Sequence, residues 1–385
     1  MRGIKRLSMQ MQKSIDIPVA FVHDYLLNMG GAERTLAAMK SLCEVSPVYT
    51  LLYDEHAVGE VFPRESVISS FLQKLPEFLR KRPRYLALLL PTAVESFDLR
   101  DFPVVISSSS AFAKGVVTRA RTTHICYCHS PMRYAWDFAH EYQTDTTEKE
   151  NMRLAVRMLQ HYLRIWDRAS ADRVHAYIAN SHAVARRIKK YYGRDATVIY
   201  PPVDTDMYRA TDADDGYFLI VSRLSPYKRI DLAVRAFNKL QLPLVIAGSG
   251  PERKNLEALV ESKAISFLGA VSEEKKRDLM ECCTALIFPG EDDFGIVPVE
   301  AMAARKPVLA YRAGGVTETV IEGVSGEFFD DAMPEALADG VRRLRSNLRA
   351  YDRTYIRKHA EQFGIERFKK EFAVAVQNAY TARYD

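Results

Sequence analysis

Acidic residues run directly into a predicted helix in the segment PGEDDFGIVPVEAMAARKP, residues 289–307 of this 385-residue chain. Pro298 stands in the predicted first turn, where proline is favoured and where backbone amides lack acceptors within the helix. These amides, with a helix dipole equivalent to roughly half a positive charge, form an anion site that Gly295 would let a ligand approach closely. The amides predicted to bind the anion are those of Phe294, Gly295, Ile296 and Val297.

Two carboxylates flank this predicted anion site. Asp292 lies in the loop before the helix and Glu300 lies on its first turn, so both could reach the hydroxyls of a bound ligand. Carboxylates beside phosphate-binding amides suggest a sugar phosphate as the ligand. For either acidic residue alone, complementing the helix dipole is an alternative explanation that needs no ligand.

Two basic residues follow another predicted strand, at 217–222. The sequence SRLSPYKR places Arg223 in the loop and Lys228 at the start of the next helix. Two fixed cations in these positions could neutralise a diphosphate. The alternative is that both are ordinary solvated surface cations, which are common at the edges of loops.

These side chains need a framework that brings them to one edge of a sheet, and the sequence alternates apolar strands with helical stretches. Such alternation predicts parallel sheets covered by helices on both faces. The strands are expected at 17–23, 48–52, 104–108, 123–129, 175–181 and 197–200, then at 217–222, 242–248, 265–269, 285–290 and 307–311. We therefore predict an α/β protein of two Rossmann-like, doubly wound domains facing a central cleft, with ligands beyond the carboxyl ends of the strands.

The boundary between the two domains is predicted from a change in composition. Residues 204–216 are polar and acidic and lack a sustained apolar period, which is typical of a linker. The first domain is then expected over 17–203 and the second over 216–364. The last helix, 365–385, is expected to join the first domain.

The same residues carry a resemblance that extends from Val19 onward: the sequence resembles the glycosyltransferases of family 4, which have the GT-B fold. In that family two glutamates eight positions apart flank a Phe-Gly pair. Asp292, Phe294, Gly295 and Glu300 match this pattern, with Asp in the place of the first Glu. Because Asp is one methylene shorter, either Asp292 or Glu291 is a candidate to hold the donor sugar.

The resemblance also implies a role for each matching residue. Arg223 and Lys228 would bind the donor diphosphate, Glu300 would contact the ribose, and Asp292 with the backbone of 294–297 would orient the transferred sugar. The remaining donor contacts implied by the family are Gly248 near the nucleoside, the backbone of Val271 at the base, and the loop of Gly30 and Gly31 near the phosphates and the acceptor.

A histidine of the first domain completes the candidate site. His129 follows an apolar strand directly and precedes a Ser-Pro-Met-Arg break, and the family has a histidine near the transferred sugar and the acceptor. His129 could instead be a structural histidine with satisfied hydrogen bonds. Likewise, Gly30 and Gly31 could form an ordinary glycine turn.

The reaction implied by the resemblance is glycosyl transfer with retention of configuration, from a nucleotide diphosphate sugar to a hydroxyl. His129, Asp292, Arg223 and Lys228 are the predicted catalytic residues. Arg223, Lys228 and the helix amides could stabilise the leaving group, so no metal ion is expected. The two D-x-D triplets, 204–206 and 212–214, could indicate a metal-dependent transferase of another fold, but we interpret them as turn and linker acids.

Within family 4 the sequence is most similar to bacterial mannosyltransferases of surface-polysaccharide and lipopolysaccharide assembly. This implies GDP-mannose as the donor and a polyprenyl-diphosphate-linked glycan as the acceptor. The alternatives are a UDP-sugar-dependent glycosyltransferase, a nucleotide-sugar epimerase of the same fold, and a sugar-nucleotide-binding protein without turnover. A dehydrogenase is disfavoured because Arg253 replaces the third glycine of a dinucleotide fingerprint in GSGPER.

Composition and charge limit the partners and the location. The net charge of +5 is too small for its length to indicate nucleic acid binding, and five cysteines in no paired pattern favour a reducing, cytoplasmic compartment. Residues 71–90 are basic and apolar, and predict either contact with the membrane surface or short helices with a buried face. On a long helix predicted at 149–173, an apolar stripe is interpreted as core packing: Leu154, Met158, Tyr162 and Trp166.

Overall fold

The computed structural model describes residues 15, 17–43, 45–139 and 150–383, which form two compact units. The first unit extends to Tyr200 and includes the end of the chain from Phe368 onward, and the second unit is Pro201–Arg367. The polar stretch 204–216 therefore lies inside the second unit. Both units are built on parallel sheets, which confirms the predicted α/β class with two Rossmann-like domains.

The sheet of the first unit has the strand order β3-β2-β1-β4-β5-β6-β7, and its neighbouring strands are parallel. Every residue of β2, β4 and β5 is buried, because helices cover both faces of the sheet. Its strands are β1 (Val19–Leu26), β2 (Val48–Tyr53), β3 (Val67–Ser69), β4 (Val104–Ser109), β5 (Thr123–Cys128), β6 (Ala176–Ala179) and β7 (Ala196–Val198).

The described helices of the first unit lie between these strands. They are α1 (Gly31–Lys40), α2 (Glu55–Val58), α3 (Glu77–Arg80), α4 (Leu90–Glu95), α5 (Glu150–Ala171) and α6 (His182–Tyr192), with short 3-10 helices at Arg64–Ser66, Phe71–Lys74, Pro83–Leu86 and Ala113–Gly115. Lys149, where the long helix is predicted to begin, lies outside the described residues.

The sheet of the second unit has the order β10-β9-β8-β11-β12-β13 and is also parallel. Its strands are β8 (Phe218–Val221), β9 (Leu244–Ala247), β10 (Ile265–Gly269), β11 (Ala285–Phe288), β12 (Val308–Tyr311) and β13 (Gly326–Phe329). The helices are α7 (Ile230–Leu240), α8 (Arg253–Ala258), α9 (Glu273–Cys282), α10 (Ile296–Ala303), α11 (Pro334–Asn347) and α12 (Arg353–Glu361), and 3-10 helices occupy Thr205–Met207, Pro226–Lys228 and Gly315–Glu318.

The last helix, α13 (Ile365–Thr381), starts in the second unit and packs in the core of the first. Phe368 and Phe372 stack at 5.6 Å between ring centroids, and the ring of Tyr127 from β5 lies 5.8 Å from that of Phe368. Both phenylalanines are fully buried in the cluster that also contains Val19 and Phe21. The chain therefore completes the first hydrophobic core with residues from its far end.

One helix face departs from its predicted environment. Leu154 and Met158 on α5 are 60% and 67% exposed, and Tyr162 is exposed as well, so the interpretation of these three residues as core packing is wrong. Only Trp166 packs against the core, and Leu159 and Leu163 supply the other inward contacts of the helix. The four-residue spacing follows a stripe that rotates away from the sheet, because the helix repeat is 3.6 residues.

Candidate functional site

The loops after several strands of the second unit approach one another closely. A β-carbon at Gly248, after β9, would lie 1.8 Å from the carbonyl oxygen of Ser222, after β8, so only glycine fits there. The amide of Gly315, after β12, donates to the carbonyl of Asp292, after β11, at 2.9 Å. These contacts gather the carboxyl-end loops of four strands, the position where ligands bind in parallel α/β sheets.

Lys228 and Asp292, predicted independently from two motifs, are in contact. The ammonium nitrogen of Lys228 lies 2.6 Å from Oδ2 of Asp292, and the two side chains are 13% and 29% exposed. Lys228 lies at the end of the 3-10 helix Pro226–Lys228, and Asp292 lies four residues after β11. The second unit thus places a cation and a carboxylate together at the end of its sheet.

Helix α10 begins beside this pair in the chain and leaves amides unsatisfied. Gly295 caps the helix with φ of +86°, a left-handed conformation that glycine adopts without strain, and no side chain caps the helix end. Within the described parts of the chain, the amides of Gly295, Ile296 and Val297 donate to no acceptor. Phe294 is buried just before them. Three of the four amides predicted to bind an anion are therefore without a protein acceptor in the described residues, and the anion site itself stays a prediction.

Glu300 is the fifth residue of α10, so its predicted place on the first turn is wrong, and it is buried. Its side chain is 5% exposed, and Oε1 lies 2.9 Å from the ammonium of Lys276 on α9. Lys276 also lies 3.0 Å from Glu273. Sequence reasoning missed Lys276 because it sits in the run EEKKRD, which looks like a solvated helix face.

Two further predicted donor residues, Arg223 and Val271, lie in loops of the same unit. Arg223 follows β8 closely and is exposed, and its guanidinium forms no hydrogen bond or ion pair with a residue that the structure describes. Val271 is half-buried in the loop between β10 and α9. Neither residue is brought into contact with the Lys228–Asp292 pair by any described interaction.

In the first unit, His129 lies at the end of a chain of hydrogen bonds. Its Nε2 is 2.8 Å from Oγ of Ser108 on β4, and the same oxygen is 3.0 Å from Nδ1 of His23 on β1. His23 and Ser108 are paired in register across the two strands. Burial, with the nearby His23, lowers the pKa of His129 to about 3, so its imidazole is neutral at physiological pH.

The series of hydrogen bonds continues from His23 to the loop of Gly30 and Gly31. Nε2 of His23 lies 3.3 Å from Oε1 of Glu33 on α1, and the other carboxylate oxygen of Glu33 accepts a 2.9 Å hydrogen bond from the amide of Gly30. Gly30 is therefore the N-cap of α1, with its amide occupied by Glu33, and Gly31 is the first helical residue. Sequence reasoning missed His23, Ser108 and Glu33, although the HD and GGAE motifs contain two of them.

A buried carboxylate supports the neighbouring loop. Asp24 is buried at the end region of β1, and its two oxygens accept four backbone amides at 2.6–2.9 Å. The donors are the amides of Ser110, Ala111, Phe112 and Ala113. Asp24 therefore fixes the loop after β4, beside Ser108, without a free oxygen to offer a ligand.

The first unit also contains a polar pocket of about 380 Å³ beyond the ends of β1 and β2. Acidic, basic and amide side chains line it together, which is the mixture of donors and acceptors that sugar hydroxyls require. Its charged and polar lining includes Asp54, Glu55, Arg64, Gln73, Glu77, Arg80 and Lys81.

Both acids of the second D-x-D triplet have structural partners, since Asp212 lies 3.4 Å from the guanidinium of Arg305. Oδ1 of Asp214 accepts hydrogen bonds from the amide of Gly216 and the hydroxyl of Thr284, at 2.9 and 2.6 Å. Across the residues that the structure describes, no three His, Cys, Asp or Glu side chains converge on a possible metal site.

No described helix is both long and apolar enough to cross a bilayer.

Both halves of the chain match models of known enzyme families. Residues 30–207 match the model for glycosyltransferase family 4, and residues 209–363 match the model for glycosyl transferases group 1. The chain therefore belongs to the glycosyltransferases of family 4, as the resemblance indicates, and its two units are the two Rossmann-like domains of a GT-B fold.

Among curated relatives, the chain is 26% identical over 380 residues to the alpha-1,3/1,6-mannosyltransferase ALG2 of Saccharomyces cerevisiae, covering 80% of this chain and 72% of that protein. It is 27% identical over 210 residues to the O-antigen chain mannosyltransferase C of Escherichia coli, covering 50% of this chain and 56% of that protein. Other matches cover only 50% or 37% of the relative, so the chain spans about half the length of several curated relatives.

The fold has close counterparts among solved structures. The crystal structure of HepE from Anabaena, in complex with UDP, superimposes with a TM-score of 0.69 and covers 94% of this chain and 100% of that chain. At 20% identity, this similarity shows the shared fold.

Proposed function

We propose that this protein is a retaining glycosyltransferase that moves a hexose from a nucleotide diphosphate sugar to a hydroxyl of a glycan. The observation that carries the proposal is the contact between Lys228 and Asp292 beside the unsatisfied amides of α10. The negative charge of a diphosphate would be stabilised by the ammonium of Lys228 and by the amide dipoles at the start of α10. Asp292 would accept hydrogen bonds from the hydroxyls of the sugar.

Chemistry at this site needs stabilisation of negative charge on the departing diphosphate. Lys228 and the amides of Gly295, Ile296 and Val297 are fixed before the reaction, so they can stabilise that charge without reorganising. Exposed Arg223 is free to add a second cation to the diphosphate. We assign the ribose contact to Glu300, which Lys276 holds in place, and the base contact to the backbone near Gly248 and Val271.

GDP-mannose is the donor we propose. It is supported by the mannosyltransferase activity named for the yeast and Escherichia coli relatives. A UDP-sugar is the second candidate, because the Anabaena structure with the same fold was solved with UDP and with UDP-glucose.

The acceptor we propose is a polyprenyl-diphosphate-linked glycan at the cytoplasmic face of the membrane. Residues 71–90 are consistent with this location, because Phe78 and Leu88 are 66% and 63% exposed among several basic residues. Their neighbours Leu72, Leu86 and Leu90 are buried in the same core cluster as Leu163 of α5. The segment therefore has both a buried face, as one sequence interpretation requires, and an exposed apolar face, as the other requires.

The polar pocket adjoins this exposed segment. Gln73, Glu77, Arg80 and Lys81 line the pocket and belong to residues 71–90. A lipid-linked glycan held at the membrane surface could therefore extend its sugars into the pocket while its lipid remains in the bilayer.

The test is nucleotide release from a panel of GDP- and UDP-sugars, measured with and without a membrane lipid extract as the source of acceptor. We expect GDP release from GDP-mannose only when the acceptor is present, together with a mannosylated lipid product. Conversion of the donor to another nucleotide sugar without acceptor would instead indicate an epimerase. Binding of nucleotide sugars with no turnover under any condition would indicate a protein that only binds them.

A further inference from the structure

A continuous series of hydrogen bonds connects a carboxylate to His129 through two side chains. It runs from Glu33 to His23, then to Ser108, then to His129, over distances of 3.3, 3.0 and 2.8 Å. We propose that Glu33, His23 and Ser108 are positioning residues that hold the proton of His129 on Nε2 and so present its Nδ1 as a hydrogen-bond acceptor to a hydroxyl of the bound ligand.

Glu33 determines which group donates and which accepts in each hydrogen bond of the series. Burial would raise its pKa, but the hydrogen bond from His23, together with a backbone hydrogen bond, lowers the pKa of Glu33 below the ordinary value. An ionised carboxylate only accepts hydrogen bonds. Since one oxygen of Glu33 accepts from the amide of Gly30, the other must accept from a proton on Nε2 of His23.

Ser108 makes the protonated nitrogen of His129 depend on that of His23, because its hydroxyl has one hydrogen and contacts both imidazoles. When His23 is neutral with its proton on Nε2, its Nδ1 is an acceptor and the Ser108 hydroxyl must donate to it. The serine oxygen can then only accept from His129, which must carry its proton on Nε2.

His129 is left with one nitrogen available to a ligand. The residue is partly exposed, and its Nδ1 bonds to no residue in the described parts of the chain. The side-chain amide Nδ2 of Asn180 donates to the carbonyl of His129 at 2.9 Å, which fixes the backbone that carries the ring. A neutral imidazole with a fixed acceptor nitrogen is suited to a sugar hydroxyl, so the assignment of the ligand rests on the proposed function while the tautomer does not.

The series has a second consistent state, which gives it a distinctive signature. If His23 binds a second proton, its Nδ1 becomes a donor, the Ser108 hydroxyl reverses, and the proton of His129 moves to Nδ1. The groups that contact His23 with polar atoms in this series are Glu33 from α1 and Ser108 from β4, and His129 faces it edge-on at 6.5 Å between ring centroids.

The experiment is two-dimensional NMR of the full chain labelled with 15N-histidine, which reports the protonated nitrogen of each ring directly. His129 is assigned by its loss in His129→Gln. The test variant is Ser108→Ala, and the matched control is Ser107→Ala, because Ser107 bonds to Nε2 of His124 at 2.9 Å from the neighbouring position of the same strand.

Near neutral pH we expect His129 to carry its proton on Nε2 in the wild type and in Ser107→Ala, and to populate both tautomers in Ser108→Ala. A wild-type proton on Nδ1, or a His129 signal unchanged by Ser108→Ala, would overturn the proposal. Where turnover is measured, Ser108→Ala should lower kcat/KM by about threefold to tenfold, the effect of losing one net hydrogen bond. The NMR result does not depend on turnover, so failure of the proposed function and failure of this inference are distinguishable.

Discussion

Lys276 and Glu300 form a buried ion pair, with 2.9 Å between the ammonium nitrogen and Oε1. The two residues come from different helices, α9 and α10, and join the helix whose first amides are proposed to bind the diphosphate to its neighbour. Because buried charges depend strongly on their partners, this pair is expected to support the shape of the proposed donor site as well as its charge.

Removing Glu300 should destabilise the second unit. Glu300→Ala leaves Lys276 with Glu273 as its remaining charged partner among the described residues. Breaking a buried pair costs about 3 kcal/mol, which lowers Tm by several degrees in a thermal unfolding scan. Glu335→Ala is the control, because Glu335 forms an exposed pair with Lys239 whose loss should change Tm little. Equal Tm values for the two variants would show that the buried pair contributes no more to stability than the exposed pair.

Removing Lys228 should abolish most of the activity without unfolding the protein. Lys228→Ala is expected to lower kcat by about 100-fold or more, because it deletes a fixed cation from the departing diphosphate. The matched variant is Lys239→Ala, which removes an exposed lysine from the same unit. The measurement is nucleotide release with the preferred donor, and kcat within a few-fold of wild type would remove Lys228 from the catalytic role.

Exposed apolar residues of the 71–90 segment should govern membrane binding. Phe78→Ser with Leu88→Ser is expected to weaken sedimentation with vesicles containing anionic lipid by more than tenfold, since each side chain loses on the order of 1.5 kcal/mol or more of burial. The paired change Met333→Ser with Tyr355→Ser alters residues of the second unit that are 52% and 45% exposed, and should leave binding intact. High salt should weaken wild-type binding, and vesicle binding that is insensitive to both pairs would contradict the assignment.

Buried histidines should make the protein less stable in acid. Burial, reinforced by His175, lowers the pKa of His124 to about 3. Between its ordinary pKa and that value, the unfolded chain binds a proton that the folded chain excludes, so stability falls as the pH falls. From pH 7 to pH 5 this histidine should cost about 2 kcal/mol.

The variant that checks this cost is His124→Gln, which keeps a polar partner for Ser107 but cannot titrate. Its free energy of unfolding in urea should fall less than that of the wild type over the same pH interval. Parallel curves for the two proteins would mean that His124 is protonated in the folded state or does not contribute.

Local patterns were sufficient to predict most of the fold. The strands with uninterrupted apolar runs, such as β4 and β5, were predicted within a residue or two, because a parallel strand buried on both faces shows its burial in its own composition. The strands that were missed, β3 and β13, lie at the sheet edges. In β3 only Val67 is buried, so three residues carry no periodic signal.

The residues of the candidate site likewise divide into those predicted from local sequence and those defined only by the fold. Lys228, Asp292 and Gly295 lie in motifs that can be read from a few neighbouring residues. Ser108 and His23 are separated by 85 positions, and their hydrogen bond depends on the register of β1 against β4, which only the folded chain defines.

The place of α13 determines how this protein can be dissected. A fragment ending at Tyr200 would lack Phe368 and Phe372, and so would expose the apolar side chains of β1 and β5 that these rings cover. Isolating the amino-terminal half therefore requires adding the last helix back, either through a short artificial loop or as a separate peptide. The hydrophobic core of the first unit therefore forms only when α13 packs against the strands of the amino-terminal half.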